Sequence, residues 1–233
     1  MATAGFCADA AGGVKLPGWL AAALLLAASA AAEEIDGVAA AQKGTGFDFY
    51  VLSLSWSPSF CTLQGSQAGG GQCGPDRDLA FVVHGLWPQF ERSYPINCES
   101  EEPRRVARDL AETMLDIMPS VGLVGHEWRS HGTCTGLGQA DYLAAVRAAY
   151  DRINLPTSLD RAAGVRYTTP SAIEKAFRDA NPGLAGDGIA TTCERGLLDE
   201  VRICLTKDLQ FRPCPEVDKK SCRAPSISLP PSP

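Results

Sequence analysis

The 233-residue sequence contains three histidines, and all of them fall in two short segments. His84 lies in FVVHGLWPQ (Phe81 to Gln89), and His126 and His131 lie in HEWRSHGTC (His126 to Cys134). Taken singly, a histidine is more often a surface or hydrogen-bonded core residue than a catalyst. Their concentration reverses those odds, because imidazole titrates near neutrality and a pair can act as base and acid in one proton-transfer cycle. The second segment approaches a zinc-hydrolase signature, in which two histidines four positions apart on a helix reach one metal and the glutamate between them serves as base. Here the spacing is five. At about 100° per helical residue, His126, Glu127, Ser130 and His131 share one arc while Trp128 and Arg129 point elsewhere. Two imidazoles spread over an arc flank a phosphate more readily than they converge on one ion. Phosphoryl chemistry without a metal is therefore the favoured reading.

The elements that must position these groups are legible in outline. FDFYVLSLSW (Phe47 to Trp56) alternates large apolar with polar or small residues and reads as a central strand stopped by Pro58. Gln64 to Gly74 is rich in glycine and reads as a surface loop. LAFVVHGLWP is a short apolar strand ending around Gly85 and Pro88, which delivers His84 to a strand end. Helical spacing of apolar residues predicts a helix over Glu102 to Met118, with others over His126 to Thr133, Asp141 to Ile153 and Ser171 to Ala180. Leu197 to Leu205, with Leu209 to Phe211, suggests late strands or a hairpin.

Composition bounds the rest. With 45% hydrophobic residues the chain supports one globular domain with a sizeable core, and a formal charge of −6 argues against nucleic-acid binding by bulk electrostatics. A small, locally positive site on an enzyme is not excluded by that balance. Residues 1–32 read as a secretory signal, with an apolar run from Trp19 to Ala32 and small-residue cleavage sites near its end. Residues 33–46 then form a linker, and the Pro/Ser-rich tail 224–233 is expected to be disordered. Of nine cysteines, Cys7 lies in the leader. The remaining eight are even in number, which fits disulfides in an oxidising compartment, and no C-x2-C pair suggests structural zinc.

FVVHGLWPQ and HEWRSHGTC resemble the two active-site segments of the ribonuclease T2 family, secreted endoribonucleases of low base specificity. FDFYVLSLSWSPSFC (Phe47 to Cys61) is similar to the family's opening strand, and YPINC (Tyr94 to Cys98) to the segment after its first motif. The resemblance implies a single disulfide-stapled α+β domain over residues 47–223, with a central, mainly antiparallel sheet and flanking helices. It further implies a monomer, secreted or periplasmic, with no stable membrane association once the signal is removed.

The implied reaction is metal-free and cofactor-free cleavage of single-stranded RNA. His131 takes the ribose 2′-OH proton, the oxygen attacks phosphorus, and His84 protonates the departing 5′ oxygen, leaving a 2′,3′-cyclic phosphate. His126 would bind the phosphate and Glu127 would stabilise the pentacovalent state. DNA, lacking the hydroxyl, would not be cleaved. Trp87 and Tyr94 are the implied base-stacking residues, and Gln89 stands where other members carry Asp or Asn. The implied disulfides are Cys61 with Cys73, Cys98 with Cys134, Cys193 with Cys222, and Cys204 with Cys214. Ser130 departs from the pattern, because the family usually has lysine there. Its fixed charge opposes the charge growing on phosphate, and the expected cost of its loss is about 100-fold to 1000-fold in rate. The neighbouring Arg129 is a candidate substitute. The competing readings are a weak or inactive RNA-binding protein, an inhibitor or self-recognition module on the same scaffold, and, least favoured, a zinc hydrolase.

Overall fold

The computed structural model describes residues 37–231 apart from 66–69, 75–76 and 160–165. The expected signal segment lies outside the described residues. Part of the expected linker does not, and residues 37–43 form helix α1, with Ala40 and Ala41 buried.

Strand β1 (Phe49–Trp56) is the spine of the sheet. Its alternation divides two apolar layers: Tyr50, Leu52, Leu54 and Trp56 enter the main core, while Phe49 and Val51 join a smaller cluster on the opposite face. β1 pairs antiparallel with β2 (Phe81–Gln89) on one side and β5 (Leu197–Leu205) on the other. The sheet runs β2-β1-β5-β6-β3, where β3 is Arg166–Thr168 and β6 is Ile227–Leu229, and β4 (Ile189–Glu194) also pairs with β5. All pairings are antiparallel except a single parallel register between Leu197 of β5 and Ser228 of β6. The expected α+β architecture is thus the observed one.

Helix α6 (Gln139–Asp151) covers the main core with Tyr142, Leu143 and Val146, and the Tyr142 hydroxyl donates to the Leu86 carbonyl at 3.1 Å. Helix α7 (Pro170–Ala180) has Pro170 in its first turn and is capped by Thr169, whose side chain accepts from Ala172 N–H. It buries Ile173 and Phe177.

Four local expectations need correction. Between residues 102 and 118 only Arg108–Glu112 is helical (α4). The following residues tighten into i→i−3 turns, and the Ile117 carbonyl then accepts from Val83 N–H of β2 at 2.9 Å. Tertiary pairing there outweighs the helical period. The glycine-rich stretch is not all loop: α2 (Ser57–Gln64) begins directly after β1 with Pro58 in its first turn, and Gly70–Cys73 forms a short helix, α3. β2 does not end near His84, which stands in mid-strand. The tail is not disordered over its described part: β6 buries Ile227 and Leu229, and the Trp56 indole donates to the Pro230 carbonyl at 3.2 Å.

β4 was not anticipated, because IATTCE lacks a long apolar run. It joins β5 through Arg195 and Gly196, at φ of 50° and 80°. Such a pair of left-handed residues matches the right-handed twist of the flanking strands.

All four disulfides have the expected pairing. The Cys98–Cys134 bridge closes 36 residues and ties the segment after β2 to the turn carrying His131. Replacing both cysteines with alanine is expected to lower stability by about 4 kcal/mol through the entropy returned to the unfolded chain. Urea unfolding of the oxidised protein checks this, and an unchanged midpoint would contradict it.

Candidate active site

His84 owes its position to a β-bulge. β1 pairs Ser53 with Gly85 and Leu54 with Val83, so His84 is the extra residue on β2. The insertion resets the alternation. Val83 and Leu86 both reach the main core, whereas Trp87 packs against the smaller cluster. His84 keeps 36% of its side chain accessible.

Helix α5 (Val121–Ser130) brings the second segment to this bulge. It starts earlier than its histidine motif suggested, because Ser120 caps it by accepting from Leu123 N–H at 3.1 Å. It also ends earlier. His131 leaves the helix at φ −125° and ψ −44°, and Gly132–Thr135 continues as a 3-10 turn. Val124 and Trp128 anchor the helix in the main core. Glu127, 1% exposed, points to the bulge.

The Glu127 carboxylate is the hub. It accepts from the Trp87 indole N–H at 2.8 Å and stands 3.5 Å from His84 Nε2, 3.9 Å from His126 Nε2 and 4.0 Å from His131 Nε2. A methyl group at Gly85 would collide with this carboxylate and with Trp87 Nε1, so the close approach of helix to strand requires glycine there. The Trp87 ring lies 5.4 Å from the His84 ring and 5.2 Å from the His131 ring, centroid to centroid.

Two residues that the sequence reading passed over complete the site. Glu200 and Arg202 alternate along β5, and Glu200 lies opposite Ser55 of β1. With His84 Nδ1 carrying its proton, that N–H donates to Glu200 Oε1. Arg202 donates to Glu200 Oε2 from Nε at 2.8 Å and from Nη2 at 2.7 Å, and its guanidinium carbon stands 5.1 Å from the Trp87 ring centroid. A signal was present: Glu200 and Arg202, of opposite charge and spaced i, i+2 on one strand, face the same side of the sheet.

The two interior histidines have opposite environments. Burial tends to lower the His84 pKa, but the Glu200 hydrogen bond and the charges of Glu200 and Glu127 outweigh it, and the net shift is upward. Burial, with the neighbouring charges of His84 and His126, lowers His131 to about 4. Its Nδ1 is buried and has no hydrogen-bond partner among the described residues. Burial raises Glu127 to about 7, partly opposed by His84 and the Trp87 N–H. For Glu200, burial pushes upward, yet His84 and Arg202 prevail and hold it at about 2. The surroundings therefore favour a proton on His84 and disfavour one on His131.

Two grooves open at the site. One, of about 270 Å³, is lined by Trp87, Tyr94, Ile96, His131, Arg202 and Lys220. The other, of about 350 Å³, is lined by His84 itself with Phe60, Val82, Ser120 and Leu123. Tyr94 is half exposed, with the Lys220 ammonium 5.6 Å from its ring centroid, and His126 stands at the rim with 61% of its side chain accessible.

Ser130 is buried at the end of α5, where its carbonyl accepts from Asn97 N–H at 2.8 Å. Arg129 does not turn toward the imidazoles. Its Nη1 lies 3.1 Å from the place a side-chain carbon would occupy on Gly125, one turn back along its own helix. Among the described residues no group of three or more His, Cys, Asp or Glu is arranged to hold a metal ion.

The bulge thus gathers two imidazoles and two carboxylates beside a pair of grooves. Comparison gives the family. The Ribonuclease T2 family model matches residues 47–214, and the chain belongs to that family of endoribonucleases. A ribonuclease of Aeromonas hydrophila is 37% identical over 166 residues, covering 70% of this chain and 73% of that protein. Ribonuclease T2 of Sus scrofa is 26% identical over 177 residues, covering 65% and 84% respectively. Among solved structures, RNase NT in complex with 5′-AMP superposes with a TM-score of 0.63 at 27% identity, covering 80% of this chain and all of that one.

Proposed function

We propose that this chain cleaves single-stranded RNA by metal-free transesterification, forming a 2′,3′-cyclic phosphate. The opposed environments of His84 and His131 around one carboxylate carry the reading. A neutral His131 is ready to take the ribose 2′-OH proton, and a protonated His84, held by Glu200, is ready to give one to the 5′ oxygen. The roles reverse when water opens the cyclic phosphate. The substrate supplies its own nucleophile, so DNA is not cleaved.

Glu127 faces both imidazoles and His126, where it can stabilise the pentacovalent phosphate and the proton transfers around it. His126 binds phosphate from the rim. The grooves suit the nucleosides on either side of the scissile bond: Trp87 and Tyr94 offer stacking surface in one, Phe60 an apolar wall in the other. Four disulfides favour a secreted or periplasmic protein, acting as a monomer. No described helix is long and apolar enough to cross a membrane.

The test is incubation of the oxidised protein with single-stranded RNA in excess EDTA. Fragments ending in 2′,3′-cyclic phosphate are expected; RNA left intact at every pH would move the reading to an RNA-binding protein. The pH profile of kcat/KM on a dinucleotide should be bell-shaped. Activity requires His131 neutral and His84 protonated, so it rises as pH increases through about 4 and falls only above 6.5, where the raised His84 gives up its proton. A profile still rising well above neutrality would contradict these roles.

A further inference from the structure

We propose that Arg202 is a catalytic residue of this site: the fixed positive charge that meets the reacting phosphate, delivered from strand β5 instead of from helix α5. The inference rests on the ribonuclease reading and names a residue for which the motif segments gave no hint.

The phosphodiester brings one negative charge and gains more as the pentacovalent state forms, so the site needs net positive potential that does not depend on protonation. Glu200 works against this. It is 3% exposed and bonded to His84, and its negative charge offsets that of the protonated imidazole. Arg202 neutralises Glu200 and restores the positive balance. Neither residue near the end of α5 supplies it, because Ser130 is neutral and Arg129 lies back over Gly125.

Geometry places Arg202 where a phosphate would be. It lines the same groove as His131 and Trp87, with 26% of its side chain accessible. Its two bonds to Glu200 use Nε and Nη2, which leaves Nη1 available for a further acceptor. Arginine's planar fork suits such double duty, gripping a carboxylate along one edge and presenting donors to phosphate along another. The Trp87 ring beneath the guanidinium fixes its orientation and also neighbours both imidazoles.

A positioning role for Arg202, acting only through Glu200 and His84, makes different predictions. In the full oxidised chain, Arg202→Met should lower kcat/KM on a dinucleotide by about 100-fold to 1000-fold. Arg202→Lys, which keeps the charge but loses the two-pronged hold on Glu200, should retain most of the activity. Ser130→Lys in the Arg202→Met background should recover at least about tenfold by returning a cation from the helix side. NMR titration of His84 and affinity for a 3′-nucleoside monophosphate complete the test. The affinity is measurable even in a chain that cleaves nothing, and Arg202→Met should weaken it about tenfold or more.

Unchanged nucleotide affinity in Arg202→Met would overturn the proposal. So would a rate loss that tracks a displaced His84 titration and is not recovered by Ser130→Lys. An inactive parent chain whose nucleotide affinity still depends on Arg202 would refute the ribonuclease reading while upholding Arg202 as the phosphate contact.

Discussion

His84→Ala is expected to cleave a dinucleotide about 10²-fold to 10⁴-fold more slowly than the parent, and most of that loss should vanish on a nucleoside 3′-(4-nitrophenyl) phosphate. The contrast follows from the assigned direction of proton flow. A ribose 5′ oxygen leaves as a strongly basic alkoxide unless protonated, whereas nitrophenolate departs unaided. Removing the acid therefore matters only for the first substrate. His131→Ala should show a loss of the same order on both, because the 2′-OH must be deprotonated whatever leaves. Side-by-side kcat measurements on the two substrates decide the matter. Equal rescue of both variants would dissolve the distinction between base and acid, and the reverse pattern would exchange their roles.

Gly85→Ala should cost about 100-fold in kcat although Gly85 has no functional group. The added methyl would occupy space now held by the Glu127 carboxylate and the Trp87 indole nitrogen. Either α5 retreats or the carboxylate turns away, and both movements separate Glu127 from the imidazoles it serves. Displacement of roughly 1 Å at a reacting centre is enough for a loss of that size. Circular dichroism and thermal unfolding should show a folded protein, since the strain is local to one helix–strand contact. A variant as active as the parent would mean that Glu127 need not touch the bulge.

The sequence revealed what its local patterns encode and missed what depends on pairing. β1 was legible because FYVLSLSW is rich in β-forming residues and its LSLSW half alternates, and α6 and α7 because their apolar residues keep helical spacing. The three histidines and Glu127 were legible because their types are rare and clustered. The bulge at His84 was not, since nothing in VVHGLW says which residue will lack a partner on β1; that is settled when Ser53 meets Gly85 and Leu54 meets Val83. Glu200 and Arg202 escaped for a related reason. Their meaning lies in being brought to His84 by β1, and LDEVRICL alone reads as a strand with ordinary charges. The tail was misjudged from its composition, because Ile227 and Leu229 are only two apolar residues among prolines and serines, yet both are buried. Arg129 was tied to the site by sequence adjacency alone, and the helix turned it away.

Strand β6 has a consequence for how the molecule is assembled. Trp56 ends the first strand, yet its indole nitrogen finds its acceptor in Pro230, 174 residues later. Until that late segment emerges from the ribosome, Trp56 lacks its acceptor and β5 lacks its β6 neighbour. β3 and β5 therefore gain the strand between them only late, and contacts so distant in sequence slow folding.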